Sequence, residues 1–163
     1  MNWSSWMLWG FVSTLVMTTI EAGAQELGLT RVDFPFMIGM IFTADRDRAK
    51  IYGIVAHVVN GWAFSLVYVL AFESMGAATW WRGALIGTIH AGFVLMVVLW
   101  IMPGVHPRMA SEHHGPTAMR QLEPPGFFGL NYGVRTPIAV LLSHLVFGLI
   151  LGSFYHLSSR GGI

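Results

Sequence analysis

The sequence has no cysteine and few charged residues. Without cysteine the chain has no disulfides, no thiolate metal ligands, no iron–sulfur clusters and no cysteine nucleophile. Only 10% of its 163 residues are charged, whereas a soluble domain has about a quarter. The net charge is +1, and no run of lysines and arginines offers a surface to a polyanion. We therefore expect no nucleic-acid partner.

Apolar residues are abundant instead. They make up 55% of the chain, and the mean hydropathy is +0.61. Four apolar runs each approach the roughly 20 residues that a helix needs to cross a bilayer. We predict an all-α, four-helix transmembrane bundle with helices at about 3–27, 49–72, 81–102 and 136–157. Because no linker-like tract interrupts the chain, residues 1–163 should form a single transmembrane domain.

Two of the three links between these helices are long, at about 29–48 and 103–135. The third link, at about 73–80, is short, so the helices that it joins should be antiparallel neighbours. All seven prolines lie in the long links or at their borders, among aromatic residues and glycines. Pro103 and Pro137 are natural boundaries for the third and fourth helices. Because the long links are too apolar to remain in water, we expect them to lie in the membrane interface or to cap the bundle.

Basic residues predict the orientation of the bundle. Only Arg82 and Arg160 lie on the side of the short link. The long links and their borders contain the other seven, Arg31, Arg46, Arg48, Lys50, Arg108, Arg120 and Arg135. The excess of positive charge predicts cytoplasmic long links, with both termini outside.

A repeated pattern relates the second and fourth helices. The second contains His57, Gly61, Ser65 and Tyr68, and the fourth contains His144, Gly148, Gly152 and Tyr155 at the same spacing. Each set forms one narrow stripe on its helix. This pattern predicts a duplicated helical hairpin whose halves are related by an axis along the membrane normal. Close packing of helices through small residues would also explain the glycines.

Ionisable residues within the predicted helices mark the candidate site, because such residues are costly in a membrane. His57 and His144 should share a depth in the cytoplasmic half of the bundle, with Glu21 near them. His90 should lie in the outer half and help packing. Imidazoles and carboxylates from different segments can bind zinc, iron or manganese. The predicted metal ligands are Glu21, His57, His144, Glu112, His113 and His114.

Two other interpretations of these residues remain open. His57 and His144 could be the axial ligands of a haem b, although close glycine packing opposes the gap that a haem ring needs. The histidines could also be structural and form hydrogen bonds to neighbouring helices, with Glu21 paired to an arginine.

Four segments carry a resemblance to a known family. They are VDFP at 32–35, DRDRAK at 45–50, VHPRMASE at 105–112 and QLEPPGF at 121–127. The chain resembles bacterial four-helix integral membrane proteins of unknown function over most of its length. The resemblance implies the four-helix architecture and a bacterial inner (plasma) membrane location, and it implies no reaction.

The sequence leaves three classes of function open. The first is a metal- or cofactor-binding membrane protein. The second is an accessory or scaffold subunit, in which the apolar links would dock onto a larger membrane complex or a second copy of the chain. The third is a small transporter or proton path. No nucleophile elbow, phosphate loop or dinucleotide fingerprint assigns the chain to an enzyme class.

Overall fold

The computed structural model describes residues 1–111 and 113–158, and within these ranges the chain is helical and contains no β-strand. Four helices are long and apolar enough to cross a membrane. They are α1 (Trp3–Glu26), α3 (Arg46–Met75), the continuous helix formed by α4 (Trp80–Phe93), a π-helical turn (Val94–Val98) and α5 (Leu99–Val105), and α6 (Thr136–Phe154). A short helix, α2 (Phe34–Phe42), lies between α1 and α3. The predicted all-α fold with four long apolar helices is confirmed.

Four helix boundaries differ from the prediction by three residues: the start and the end of α3, the end of α5 and the end of α6. Helix α3 begins at Arg46, because the Asp45 side chain accepts hydrogen bonds from the first free backbone amides of the helix. Pro103 does not end the third membrane helix, since α5 continues through it to Val105. Membrane helices tolerate such a proline where the carbonyl group that it leaves free finds another partner.

Small residues determine which helices pack closely. A Cβ atom placed on Gly148 would lie 2.0 Å from the carbonyl oxygen of Gly83, so α4 and α6 meet backbone to backbone. In the α1–α3 crossing, Gly61 faces Thr14 and Gly10 faces Ser65. Helix α1 also packs against α6. The two crossings use positions at equal spacing, and the duplication of the hairpin stays a prediction.

Helices α3 and α4 are not the close neighbours that the short link between them predicted. Helix α3 packs on α1 and α2, whereas α4 packs mainly on α6. Side chains span the space between α3 and α4: His90 stacks on Phe64 and hydrogen-bonds Tyr68. This separation leaves a cavity between the two helices.

The two long links form the predicted cap at one end of the bundle. Helix α2 packs against the first half of α3, where a Cβ atom on Gly39 would lie 1.8 Å from the carbonyl oxygen of Ala49. The second link packs on the first, because Arg108 donates hydrogen bonds to the backbone carbonyls of Met40 and Ile41.

Tyr155 connects the chain segments that meet at the opposite end of the bundle. Its hydroxyl group donates to the Glu73 carboxylate over 2.6 Å and accepts from the backbone N–H of Asn2 over 3.0 Å. These contacts bring the start of α1 and the ends of α3 and α6 to one face. The long links therefore lie on the other face, which we call the link face.

A buried carboxylate and three histidines at a membrane cavity

The space between α3 and α4–α5 is a cavity of about 620 Å³, which we call the apolar cavity. Its rim includes Val59 and Phe93, whose side chains are 56% and 44% exposed and face outward from the bundle. In a membrane these positions would be in contact with lipid. Most of the lining is apolar, and its polar side chains are Glu21, His57, Asn60, His90 and His144. Known small-molecule sites combine this size with an apolar lining and a few polar groups.

Glu21 from α1 supplies the carboxylate of the site. Its side chain is buried, and Oε1 lies 3.0 Å from the Ser143 hydroxyl group on α6, whose one proton is shared between this oxygen and the Val140 carbonyl oxygen, also at 3.0 Å. Oε2 is also buried, but it accepts no hydrogen bond from residues 1–111 or 113–158. Since buried polar atoms are nearly always hydrogen-bonded, the free Oε2 is an acceptor available to a ligand.

His57 from α3 faces this free oxygen. Its Nε2 lies 3.5 Å from Glu21 Oε2, which is longer than a normal hydrogen bond. The orientation of the ring follows from Thr18, whose single hydroxyl proton is donated to the Thr14 carbonyl over 2.8 Å. Thr18 can therefore only accept from His57 Nδ1, at 3.2 Å. In the neutral ring this leaves Nε2 without a proton, so Nε2 and an ionised Glu21 would be two acceptors facing each other.

His144 from α6 has the same arrangement. Its Nδ1 lies 2.9 Å from the Val140 carbonyl oxygen, which can only accept, so Nδ1 carries the proton and Nε2 is free. The His90 ring lies edge-on to the His144 ring with 4.7 Å between their centres. His90 Nδ1 is 3.0 Å from the Tyr68 hydroxyl group. The site therefore joins side chains from α1, α3, α4 and α6.

The arrangement offers acceptors to whatever enters the cavity. Glu21 Oε2 and the Nε2 atoms of His57 and His144 have free lone pairs. The other polar atoms of these three residues already have partners in the Ser143 and Thr18 hydroxyl groups and the Val140 carbonyl group. A bound group that donates hydrogen bonds, or a cation, would relieve the repulsion between Glu21 and His57. The site is therefore suited to a donor or a positive charge.

The structure brings together only part of the predicted set. Glu21, His57 and His144 are all buried at the apolar cavity. His113 and His114 are exposed in the second link, and Glu112 lies outside the described residues. Within the described ranges, no group of three histidine or acidic side chains is arranged to hold a metal ion.

Three contributors to the site were not predicted from the sequence. His90 is not separated from the other histidines, because its ring contacts that of His144. Asn60 is an exposed amide one turn beyond His57 on α3, and such a residue in an apolar helix was a usable signal. Ser143 gave no signal, because only the packing of α1 on α6 brings its hydroxyl group to Glu21.

Comparison with known proteins identified no relative of this chain. No family model, no curated protein and no solved structure matches the chain.

Proposed function

We propose that this protein binds a lipid-soluble small molecule, a cofactor or a substrate, in the apolar cavity. The polar head of the molecule would donate hydrogen bonds to Glu21, His57 and His144, and its apolar part would lie between α3 and α4–α5. The observation that carries the proposal is the free buried Oε2 of Glu21, a residue that lines a cavity of about 620 Å³. Exposed rim residues such as Val59 support entry from the bilayer.

The test is to identify what remains bound to the protein. The wild-type chain is extracted with its surrounding lipid into polymer discs, and the organic molecules that co-purify are measured by mass spectrometry. The Glu21→Gln/His57→Ala variant should lose at least one molecule that the wild type retains. His156→Ala is the matched control, because His156 is exposed at the opposite face. Identical molecules in all three samples would contradict the proposal.

A bound transition-metal ion such as zinc, iron or manganese is the second candidate. It is favoured by the hydrogen-bonded Nδ1 atoms of His57 and His144, since ligating histidines commonly anchor one nitrogen in this way and bind metal through the other. A third ligand would come from Glu21. Because the side chains are not arranged around an ion position, binding would require them to move.

Metal analysis of protein purified without a histidine tag tests this candidate. Stoichiometric metal in the wild type, lost in His57→Ala and His144→Ala, would support it. Metal that remains bound after each substitution, or that is absent from the wild type, would exclude a metal site at these residues. A bound haem b between the same two histidines would be visible in the absorption spectrum of the same samples.

We also propose an orientation and a location. A cytoplasmic link face is supported by its described basic residues, which include Arg31, Arg46 and Arg108, because cytoplasmic loops carry an excess of positive charge. The resemblance noted above supports a bacterial plasma membrane. Partners other than lipid, whether a second copy or a larger membrane complex, would dock on the apolar exposed surface of the cap, where Phe127 is 74% exposed.

A further inference from the structure

A second cavity reaches Glu21 from a different direction. It has a volume of about 480 Å³ and lies between α1, α2 and the first half of α3, and we call it the polar cavity. Thr18, Glu21, Ala22 and Gln25 form one wall. Their spacing of three and four residues places them on one face of α1. The cavity therefore follows α1 inward from the link face.

Glu21 belongs to both cavities. It lines the polar cavity together with Gln25 and the apolar cavity together with His57. Its side chain is only 7% exposed, and its Oε2 has no hydrogen-bond partner among the described residues. A carboxylate that lines a polar cavity and has one buried oxygen without a partner is an incomplete site. Water or a cation arriving through that cavity would complete it.

The charges around the polar cavity favour cations over anions. Three carboxylates line it, those of Glu21, Glu26 and Asp33, against one ammonium group, that of Lys50. One Asp33 oxygen accepts from the backbone N–H of Phe36 and so caps α2. An ionised carboxylate suits this role, because the start of a helix favours negative charge. A cleft with an excess of one sign of charge concentrates ions of the opposite sign.

We propose that the polar cavity is a water-filled route through which small hydrated cations reach Glu21 from the link face. This route is separate from the lipid-facing opening of the apolar cavity. The proposal does not depend on the identity of the lipid-soluble ligand. It adds that the two cavities give a membrane-soluble molecule and an aqueous ion access to the same carboxylate.

Cysteine labelling tests the route directly, because the natural chain contains no cysteine. Thr18 lies about 12 Å along α1 from Glu26 and lines the polar cavity. Thr19 is its neighbour in sequence and has an exposed, lipid-facing side chain. Thr18→Cys and Thr19→Cys are therefore matched in residue type and depth, and differ in whether they face the cavity.

The reagent is a membrane-impermeant, positively charged methanethiosulfonate, added from the link face to protein in vesicles. Thr18→Cys should react at least about tenfold faster than Thr19→Cys, because only an ionised thiol in contact with water reacts well. A negatively charged reagent of similar size should react more slowly at position 18. Adding Glu26→Gln and Asp33→Asn to the Thr18→Cys variant should reduce the preference for the positively charged reagent. The amide side chain introduced at position 33 can still cap α2.

Equal rates at positions 18 and 19, or a faster reaction with the anionic reagent, would overturn the proposal. Ala22→Cys repeats the measurement closer to the link face, so the result does not depend on one variant folding. Retention of the organic ligand is measured separately on the chain without cysteine substitutions, because Thr18 contacts His57. No preferred labelling at position 18 with a ligand retained would reject the route alone. Preferred labelling without any retained ligand would reject the ligand proposal alone.

Discussion

Hydroxyl groups on neighbouring helices determine how the ionisable residues of the site are presented. Thr18 fixes the His57 ring through Nδ1, and Ser143 holds one oxygen of Glu21. Each contact satisfies one polar atom of its partner and leaves another free. The free atoms, Glu21 Oε2 and His57 Nε2, lie 3.5 Å apart. At this scale the hydroxyl groups shape the site as much as the ionisable residues do.

The contribution of Ser143 can be measured. Ser143→Ala removes the one hydrogen bond that Glu21 accepts from the described chain, and leaves both carboxylate oxygens buried and unpartnered. We expect a loss of about 1–3 kcal/mol in the free energy of unfolding, the usual cost of an unsatisfied buried group. Unfolding in mixed micelles gives the value. Ser74→Ala, at an exposed helix position, should change it little, and equal losses in both variants would contradict the assignment.

His106 should make the cap sensitive to acid. Its Nε2 donates to the Met37 carbonyl, its Nδ1 accepts from the Arg108 backbone N–H, and burial lowers the pKa of its ring. Because the folded state binds the proton less readily than the unfolded state, this contribution to stability is complete above the ordinary pKa of about 6.5. It decreases as the pH falls below that value toward the lowered pKa.

Amide hydrogen exchange in α2 and the second link would show the effect. At pH 5 we expect less protection than at pH 7.5, after correction for the intrinsic dependence of exchange on pH. Exchange within α6 is the internal control, because the hydrogen bonds of the His106 ring go to Met37 in α2 and to Arg108. An unchanged pattern in α2 would contradict the prediction.

The sequence predicted Glu21, His57 and His144 because ionisable residues stand out in apolar helices. The prediction that His90 lies in the outer half of the bundle was wrong, because its depth in the membrane was counted from the ends of the predicted helices. His90 lies about 15 Å from the start of α4 at one face, and His144 lies about 12 Å from the start of α6 at the other. In a hydrocarbon layer of about 30 Å both positions are near the middle.

At the scale of helices, close backbone contact decides which elements are partners. Link length suggested that α3 and α4 would pair, but hydropathy and link length carry no information about backbone approach. Glycines indicate where two backbones can approach each other. The close contact of α4 with α6 is made at Gly83, Gly87, Gly148 and Gly152. The four-residue spacing of these glycines was visible in the sequence. Which helix each stripe faced was not, because that depends on all the helices packing together.

Gly148→Val should therefore separate α4 from α6. Its Cβ would lie 2.0 Å from the backbone carbonyl oxygen of Gly83, and a backbone atom cannot move aside as a flexible side chain can. We expect a loss of at least about 1–3 kcal/mol, the usual cost of overpacking. Gly23→Val is the matched control, since a Cβ there meets no atom within 4 Å. Thermal unfolding in detergent should show a lower midpoint for the first variant alone.

At the scale of the whole molecule, the structure is a bundle with two unlike ends. The link face carries α2, the cap and most of the basic residues, and the opposite face is joined by Tyr155, Glu73 and Asn2. Hydropathy was sufficient to predict four spanning helices. The cavity between α3 and α4–α5 was not predictable, because it results from α3 and α4 packing on other helices and not on each other.

The last prediction is that the link face is cytoplasmic. Single cysteines at Ser74 and Met119 are exposed at opposite ends of the bundle, with Met119 in the second link and Ser74 near the end of α3. In intact cells a membrane-impermeant thiol reagent should label Ser74→Cys, and it should reach Met119→Cys only after the membrane is opened. The physical reason is the cost of moving the basic residues of the links across the bilayer during insertion. Labelling of Ser74→Cys only from the cytoplasm would reverse the orientation, and the polar cavity would then open to the outside.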